Sequence, residues 1–149
     1  MVVLLDLTKN ELNADILCQM AQLEKLLFDD NWHDGAILSV LSQFGAGVLV
    51  CLSDKTVVGY CIYQIVFDVA EVLRIATNPS HQRQGVGKMM LDKLIQLTKN
   101  KQAERLLLEV RADNASAIGL YQQQAFYQID KRPRYYGGQV DALILQREL

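Results

Sequence analysis

The segment from Val69 to Asn100 restricts the possible folds of this chain more than any other part of the sequence. Val69 to Thr77 is rich in β-branched and apolar residues and ends at the turn Asn78-Pro79-Ser80, which predicts a strand. A loop with two glycines follows, Gln82 to Gly87. The next segment, Gly85 to Asn100, predicts an amphipathic helix, with one apolar stripe formed by Val86, Met89, Met90, Leu94 and Leu97.

The remaining strands and helices are predicted in the same way, strands from short apolar or β-branched runs and helices from apolar residues at helical spacing. Thr8 and Glu11 match a capping box before the first helix, and Asp113 is expected to cap the last one. The order β-α-α-β-β-β-α-β-α-β-β predicts an α/β protein of the α+β type, with a mixed, mostly antiparallel sheet of about six or seven strands flanked by about four helices. The other predicted elements are strand Val2–Leu7, helices Leu12–Leu27 and His33–Phe44, strands Val48–Leu52, Thr56–Asp68 and Arg105–Arg111, helix Asn114–Gln124, and strands Phe126–Asp130 and Val140–Arg147.

Size and composition exclude several classes of protein. A length of 149 residues favours one domain, residues 1–149. The net charge of −2 argues against nucleic-acid binding, and no apolar run approaches the roughly 18 residues of a membrane span. Cys18, Cys51 and Cys61 form no C-x-x-C pair and suit a reducing compartment, so we expect a cytoplasmic protein. The sequence does not fix the oligomeric state and is compatible with a monomer. His33 and His81 lie far apart without other ligands nearby, so no metal site is predicted.

Four interpretations of the glycine loop can be compared: three kinds of phosphate-binding loop, and a plain helix start with turn glycines. Backbone N–H groups at a helix N-terminus attract anions, and glycine lets the backbone approach a pyrophosphate. A P-loop is excluded because Met89 follows Lys88 where Ser or Thr is required. A dinucleotide-binding loop lacks its third glycine, because Met90 stands there. Gln82-Arg83-Gln84-Gly85-Val86-Gly87 instead resembles the Q/R-x-x-G-x-G/A coenzyme A loop of the GNAT superfamily of acetyltransferases.

Further blocks narrow the resemblance to one branch of that superfamily. Ile75-Ala76-Thr77-Asn78-Pro79, Leu108 to Asn114 and Ala117-Ile118-Gly119-Leu120-Tyr121 look like the bacterial RimI branch, over roughly the last two-thirds of the chain. That branch acetylates the N-terminal alanine of a small-subunit ribosomal protein. The resemblance implies a GNAT fold, acetyl-CoA as cosubstrate, and a protein N-terminus as acceptor. It assigns cofactor contacts to Ile75, Ala76, Thr77, Arg83, Gln84, Gly85, Val86, Gly87, Lys88 and Asn114.

The resemblance also assigns the two proton-transfer residues. Glu109 matches the proton acceptor; because it interrupts an apolar strand, we expect its carboxylate close to the sheet interior. Tyr121 matches the proton donor of the branch. A phenol suits that role because it stays protonated at neutral pH. From composition alone, Glu109 could instead be a carboxylate at a strand edge that pairs with Arg111 or another cation, and Tyr121 could merely pack its helix against the sheet. Asn114 could also belong to the helix cap.

Acceptor recognition is the least constrained part of the prediction. Trp32, Tyr135 and Tyr136 are assigned to the acceptor cleft, although both tyrosines could equally pack on the sheet. Asn31 precedes Trp32 where the branch has proline, which leaves the peptide specificity open. Ala125 precedes Phe126 where the branch has glycine, so the turn at Ala125 is expected to differ. Two other functions stay open: a GNAT enzyme acting on a small amine, and a non-catalytic module that senses acyl-CoA.

Overall fold

The computed structural model describes residues 1–149 and contains the predicted elements in the predicted order. The seven strands and four α-helices are β1 Val2–Leu7, α1 Ala14–Leu27, α2 Asp34–Leu41, β2 Ala46–Ser53, β3 Thr56–Val66, β4 Val69–Thr77, α3 Val86–Asn100, β5 Arg105–Arg111, α4 Ala115–Gln123, β6 Tyr127–Tyr136 and β7 Val140–Glu148. No helix is both long enough and apolar enough to cross a bilayer.

All seven strands belong to one sheet, in the order β1-β2-β3-β4-β5-β7-β6. Strands β4 and β5 are parallel, and every other neighbouring pair is antiparallel. The predicted fold class, a mixed and mostly antiparallel sheet with four helices, is therefore confirmed.

Helices cover both faces of the sheet and create two apolar cores. Helices α3 and α4 pack on one face through Met90, Leu94 and Tyr121. Helices α1 and α2 pack on the other through Met20 and Ile37. The middle of β3 is buried on both faces, which explains why this strand reads as a continuous apolar run rather than an alternating one.

A bulge in β4 makes this strand diverge from β5. Ile62 of β3 pairs with Arg74 and Tyr63 pairs with Val72, so Leu73 is an extra residue. Such a bulge bends the strand and increases its twist. The parallel register with β5 ends at Glu71, and a gap opens between the two strands beyond that point.

Some predicted boundaries are wrong: β6 continues to Tyr136 rather than ending at Asp130, and α1 and α4 begin two residues and one residue later than predicted. Glu11 does bind Thr8, but within a short 3-10 turn, and α1 begins later, where the Asn13 side chain accepts from the Ile16 N–H at 2.8 Å. At α4 the cap is Asn114, not Asp113. The Asp113 carboxylate is held by the Arg111 guanidinium at 3.0 Å, which turns it away from the helix.

Candidate functional site

A cavity of about 520 Å³ lies beside the C-terminal part of β4, beyond the point where its pairing with β5 ends. One wall is the C-terminal part of β4, another is the loop and first turn of α3, and the third is the start of α4. The lining residues are Leu27, Phe28, Ile75, Ala76, Thr77, His81, Gln82, Arg83, Gly85, Val86, Gly87, Lys88, Asn114, Ser116, Ala117, Leu120 and Tyr121.

The N-terminus of α3 is built to receive an anion in this cavity. Gly85 has φ +82°, a left-handed conformation that other residues rarely adopt, and it starts the helix without a capping side chain. The first helical hydrogen bond runs from the Met89 N–H to the Gly85 carbonyl at 2.9 Å. The N–H groups of the preceding turn therefore point outward with the positive end of the helix dipole. Arg83 adds positive charge beside them, and Lys88 also lines the cavity while its ammonium group binds the Asp92 carboxylate at 2.8 Å.

The β4 wall offers backbone groups rather than side-chain chemistry. Ile75, Ala76 and Thr77 pair with β3 on one side, but β5 has already diverged on the other. Their polar groups on the free edge can pair with the amides of an extended ligand, as an added strand would.

A second cavity of about 840 Å³ lies on the α1 side of the sheet. It extends from the loop after α1 across β4 and β5 to the β6–β7 turn. Five residues line both cavities, so the two spaces meet around them: Leu27, Phe28, Ile75, Asn114 and Tyr121.

Glu109 is the carboxylate of this second cavity. Its Oε1 accepts a hydrogen bond from the Tyr136 hydroxyl at 2.8 Å, and the Arg132 Nη1 lies 3.8 Å from its Oε2. The side chain is 30 % exposed, so the expected position close to the sheet interior is wrong. Glu109 does point to the α1 face, but α1 does not extend over it. Arg111 is not its partner, because that guanidinium binds Asp113.

Tyr121 lies where the two cavities meet and is only 5 % exposed. The protein has no buried side-chain polar atom without a partner. Because no protein group binds the Tyr121 hydroxyl, that oxygen must open on the cavities. Burial raises the pKa of the phenol above its ordinary value, so the hydroxyl keeps its proton at neutral pH.

The other predicted site residues divide between the two cavities. Trp32, Tyr135 and Tyr136 line the second one, and the tyrosine rings meet edge to face at 5.2 Å. Asn114 lines both while its Oδ1 caps α4, so its amide nitrogen stays free to donate. Gln84 lines neither cavity; its side chain donates to the Ser80 carbonyl at 3.4 Å.

Several lining residues were missed in the sequence. His81 just before the glycine loop and Gln82 at its start line the first cavity. Phe28 lines both cavities, and Arg74 lines the second. An arginine inside the apolar strand β4 was the available signal, because a charge there needs a buried partner. No three His, Cys, Asp or Glu side chains cluster as metal ligands.

Comparisons of sequence identify related proteins. The family model described as the acetyltransferase (GNAT) family matches residues 17–126. The ribosomal protein bS18-alanine N-acetyltransferase of Salmonella typhimurium is 38 % identical over 96 residues, which cover 62 % of this chain and 65 % of that relative, just under two-thirds of its length. A putative enzyme of the same name from Bacillus subtilis is 35 % identical over 127 residues, covering 83 % of both chains.

Solved structures agree with the sequence matches. The crystal structure of the ribosomal-protein-S18-alanine N-acetyltransferase from Escherichia coli superposes with a TM-score of 0.87 at 28 % identity, covering 99 % of this chain and 94 % of that one. Ard1 from Thermoplasma volcanium has the same fold, with a TM-score of 0.86 at 20 % identity over 99 % of this chain and 97 % of the other. The predicted likeness to the ribosomal-protein-alanine branch is thus confirmed, and the chain belongs to the GNAT family of acetyltransferases.

Proposed function

We propose that this chain is an acetyl-CoA-dependent N-acetyltransferase that acts on the α-amino group of a protein N-terminus, with the N-terminal alanine of a small-subunit ribosomal protein as its acceptor. One observation carries the proposal: an anion-binding cavity and a carboxylate-containing cavity meet at the Tyr121 hydroxyl. Relatives named for this activity support the choice of acceptor. An acceptor of this class places the protein in the cytoplasm, and residues 1–149 would act as one domain.

The residues of the first cavity fit coenzyme A. Its pyrophosphate needs N–H donors and positive charge, which the α3 N-terminus supplies with Arg83 and Lys88. Its extended amide arm needs a free strand edge, which Ile75 to Thr77 supplies. The bound acetyl-CoA would bring an activated acetyl thioester to the point where the cavities join.

Glu109 and Tyr121 can then handle the two protons of the reaction. An α-amino group has a reference pKa of about 7.7–8.0 and is mostly protonated at pH 7, so it must lose a proton before it can attack. The Glu109 carboxylate is partly exposed in the acceptor cavity and can accept that proton. Tyr121 holds a proton at its hydroxyl oxygen at the junction, where the leaving group can receive it.

Intact-mass analysis tests the proposal directly. A synthetic peptide with a free N-terminal alanine is incubated with acetyl-CoA and the purified protein, and fragmentation locates any acetyl group. We expect one acetyl group at the α-amine. The variant Glu109→Gln should lower kcat about 10²- to 10⁴-fold, the usual range for a general base. Glu71→Gln is the matched control, because Glu71 is an exposed carboxylate of the same sheet that lines neither cavity.

Two results would redirect the assignment. Consumption of acetyl-CoA with small amines, but not with the peptide, would move the acceptor to a small molecule and leave the cofactor site as described. Tight binding of acetyl-CoA without turnover of any acceptor would instead indicate a sensing module.

A further inference from the structure

A buried carboxylate lies beneath the acceptor cavity and has no role in the chemistry described above. Glu24 of α1 is 0 % exposed. Its Oε1 accepts a hydrogen bond from the Trp32 N–H at 2.9 Å, and its Oε2 accepts one from the Tyr60 hydroxyl. Arg74 completes the set, with Nη2 at 2.8 Å and Nε at 3.2 Å from Oε1. A carboxylate this deeply buried needs such partners to remain charged.

Arg74 extends the same cluster to the loop after α1. Its guanidinium stacks on the Phe28 ring at 4.0 Å and on the Trp32 ring at 4.2 Å. It also donates from Nη2 to the Asp30 carbonyl at 3.1 Å and lies 3.6 Å from the Asp30 carboxylate. A planar guanidinium can lie flat against aromatic rings while its N–H groups donate in its own plane, whereas a tetrahedral ammonium group has three donors but no flat face to stack.

The loop held in this way is the wall of the acceptor cavity. Phe28, Asp29, Asp30 and Trp32 all line the second cavity. Residues 29–32 have no regular secondary structure. Their backbone hydrogen bonds to the rest of the protein are those to Glu24 and Arg74. The shape of this wall therefore depends on two side chains that lie outside the loop.

The β4 bulge explains how Arg74 reaches the loop. In a regular strand, successive side chains point to opposite faces. The extra residue Leu73 places both Leu73 and Arg74 on the α1 face, where Leu73 joins the α1–α2 core and Arg74 meets Glu24. The same bulge that opens the gap to β5 thus also brings Arg74 to Glu24, and we call this pair, which holds the loop wall of the second cavity, the clamp.

We propose that Glu24 and Arg74 are positioning residues that fix the loop 28–32 and thereby set the affinity for the acceptor. This inference rests on the proposed function in one respect, namely that the acceptor occupies the second cavity. The α3 N-terminus and the free edge of β4 lie outside this loop, of which Phe28 alone lines the first cavity.

The substitution Arg74→Lys tests this role because it keeps the charge opposite Glu24 but removes the flat stacking on Phe28 and Trp32 and the paired donation from Nε and Nη2. We expect KM for the acceptor peptide to rise about tenfold, and the KM for acetyl-CoA to rise less, because Phe28 is the only residue of the loop 28–32 that lines the first cavity. Trp32 is the only tryptophan of the chain, so its fluorescence reports the loop without any substrate. Acrylamide should quench it at least about twofold more strongly in the variant, because the ring is no longer covered by the guanidinium.

Tyr63→Phe is the matched control. Tyr63 donates to the Asp6 carboxylate at 2.7 Å and is 7 % exposed, yet it lines neither cavity. Its loss should lower stability without changing the quenching or the KM for the peptide. If Arg74→Lys does not fold, Tyr60→Phe removes one donor to Glu24 without touching the cavity wall, and a smaller change in the same direction is expected.

The two readouts separate this inference from the proposed function. Unchanged quenching of Trp32 in Arg74→Lys would overturn the clamp, whether or not the peptide is a substrate. Stronger quenching with an unchanged KM for an acetylated peptide would show a held loop that does not set affinity, which also overturns the inference. If the peptide is not acetylated but acrylamide quenches Trp32 more strongly in Arg74→Lys than in the wild type, the clamp is supported and only the proposed acceptor is contradicted.

Discussion

Tyr121 combines a buried ring with a hydroxyl group that opens on both cavities. Burial raises the pKa of its phenol above the ordinary value of 10.0, so the group remains a proton donor throughout the neutral and mildly alkaline range. Tyr121→Phe should keep the ring packed against Phe126, whose centroid lies 5.8 Å away, and remove only the proton. We expect kcat to fall about 10²-fold, with the Kd for acetyl-CoA unchanged in a calorimetric titration.

The pH profile gives a second check on the same residue. Because the folded pKa is raised, the proton is lost only at a pH above 10, and kcat of the wild type should show no alkaline decline below about pH 9.5. Tyr127→Phe is the control, since Tyr127 is exposed and binds Glu148 far from the cavities. A decline centred below pH 9 that disappears in Tyr121→Phe would contradict this account.

The sequence indicated the two candidates for proton transfer, Glu109 and Tyr121, but misplaced the environment of Glu109. Strand periodicity puts Glu109 on the face opposite Leu108 and Val110, which the structure shows. Whether that face is covered depends on where α1 ends and on the β4 bulge, neither of which has a local signal at Glu109. The position of Arg74 inside an apolar strand indicates a buried partner, but not that this partner is Glu24, because 50 positions separate the two residues in the chain.

The C-terminal end of α4 carries an unfavourable residue at a position that requires left-handed backbone. Ala125 has φ +66°, and the Phe126 and Ala125 N–H groups bond back to the Tyr121 and Gln122 carbonyls, as in a Schellman motif. Ala125→Gly should raise the free energy of unfolding by about 0.5–1 kcal/mol. This value is the left-handed strain that is relieved in the folded state minus the extra conformational entropy that glycine loses on folding.

Gly119 offers the reciprocal test in the same helix. It lies inside α4, and a Cβ added there would meet nothing within 4 Å. Gly119→Ala should therefore stabilise the protein by about 0.5–1 kcal/mol through helix propensity alone. Urea unfolding of both single variants and the double variant measures the two effects. Destabilisation by Ala125→Gly would show that the backbone at residue 125 carries no strain.

The N-terminus of α3 leads to a prediction about the cofactor. Arg83 is exposed and lines the first cavity, where a phosphate would meet it. Arg83→Ala should raise the KM for acetyl-CoA about tenfold, with a weaker dependence on salt, because a charge-assisted hydrogen bond is lost. Lys93→Ala is the matched control, since Lys93 is an exposed cation of the same helix that lines neither cavity. Equal effects of the two substitutions would indicate a general charge effect.

Helix and strand identities were predictable because each has a strong period, whereas exact ends were not. The start of α3 was placed within one residue, since the glycines mark it. The start of α1 was placed too early because the pair Thr8 and Glu11 satisfies a capping box in a 3-10 turn as well as in an α-helix. The extra residue in β4 is ordinary in composition, so the feature that opens the site had no sequence signature.

At the scale of the whole molecule, the two cores bury five groups that ionise at alkaline pH. Burial raises the pKa of Cys51 to about 11 and that of Cys61 to about 12. It also raises the pKa of Tyr60, Tyr63 and Tyr121 above 10. Each folded pKa is higher than the unfolded one, so the folded state binds more protons at high pH, and stability is lost as pH rises.

The free energy of unfolding should therefore stay level to about pH 8.5 and decline above that as the two thiols ionise in the unfolded state, each adding about 1.4 kcal/mol per pH unit to the slope. Above about pH 10 the decline should become steeper, because each buried tyrosine adds about the same amount. Tyr63→Phe removes one such group and should reduce the slope above pH 10 by about that amount. Tyr127→Phe should not, because Tyr127 is exposed. Urea titrations at half-unit intervals from pH 7 to 11 measure the slopes. A level stability up to pH 11 would mean that water reaches these phenols in the folded state, and the buried position of Tyr121 would then need revision together with its role as a proton donor.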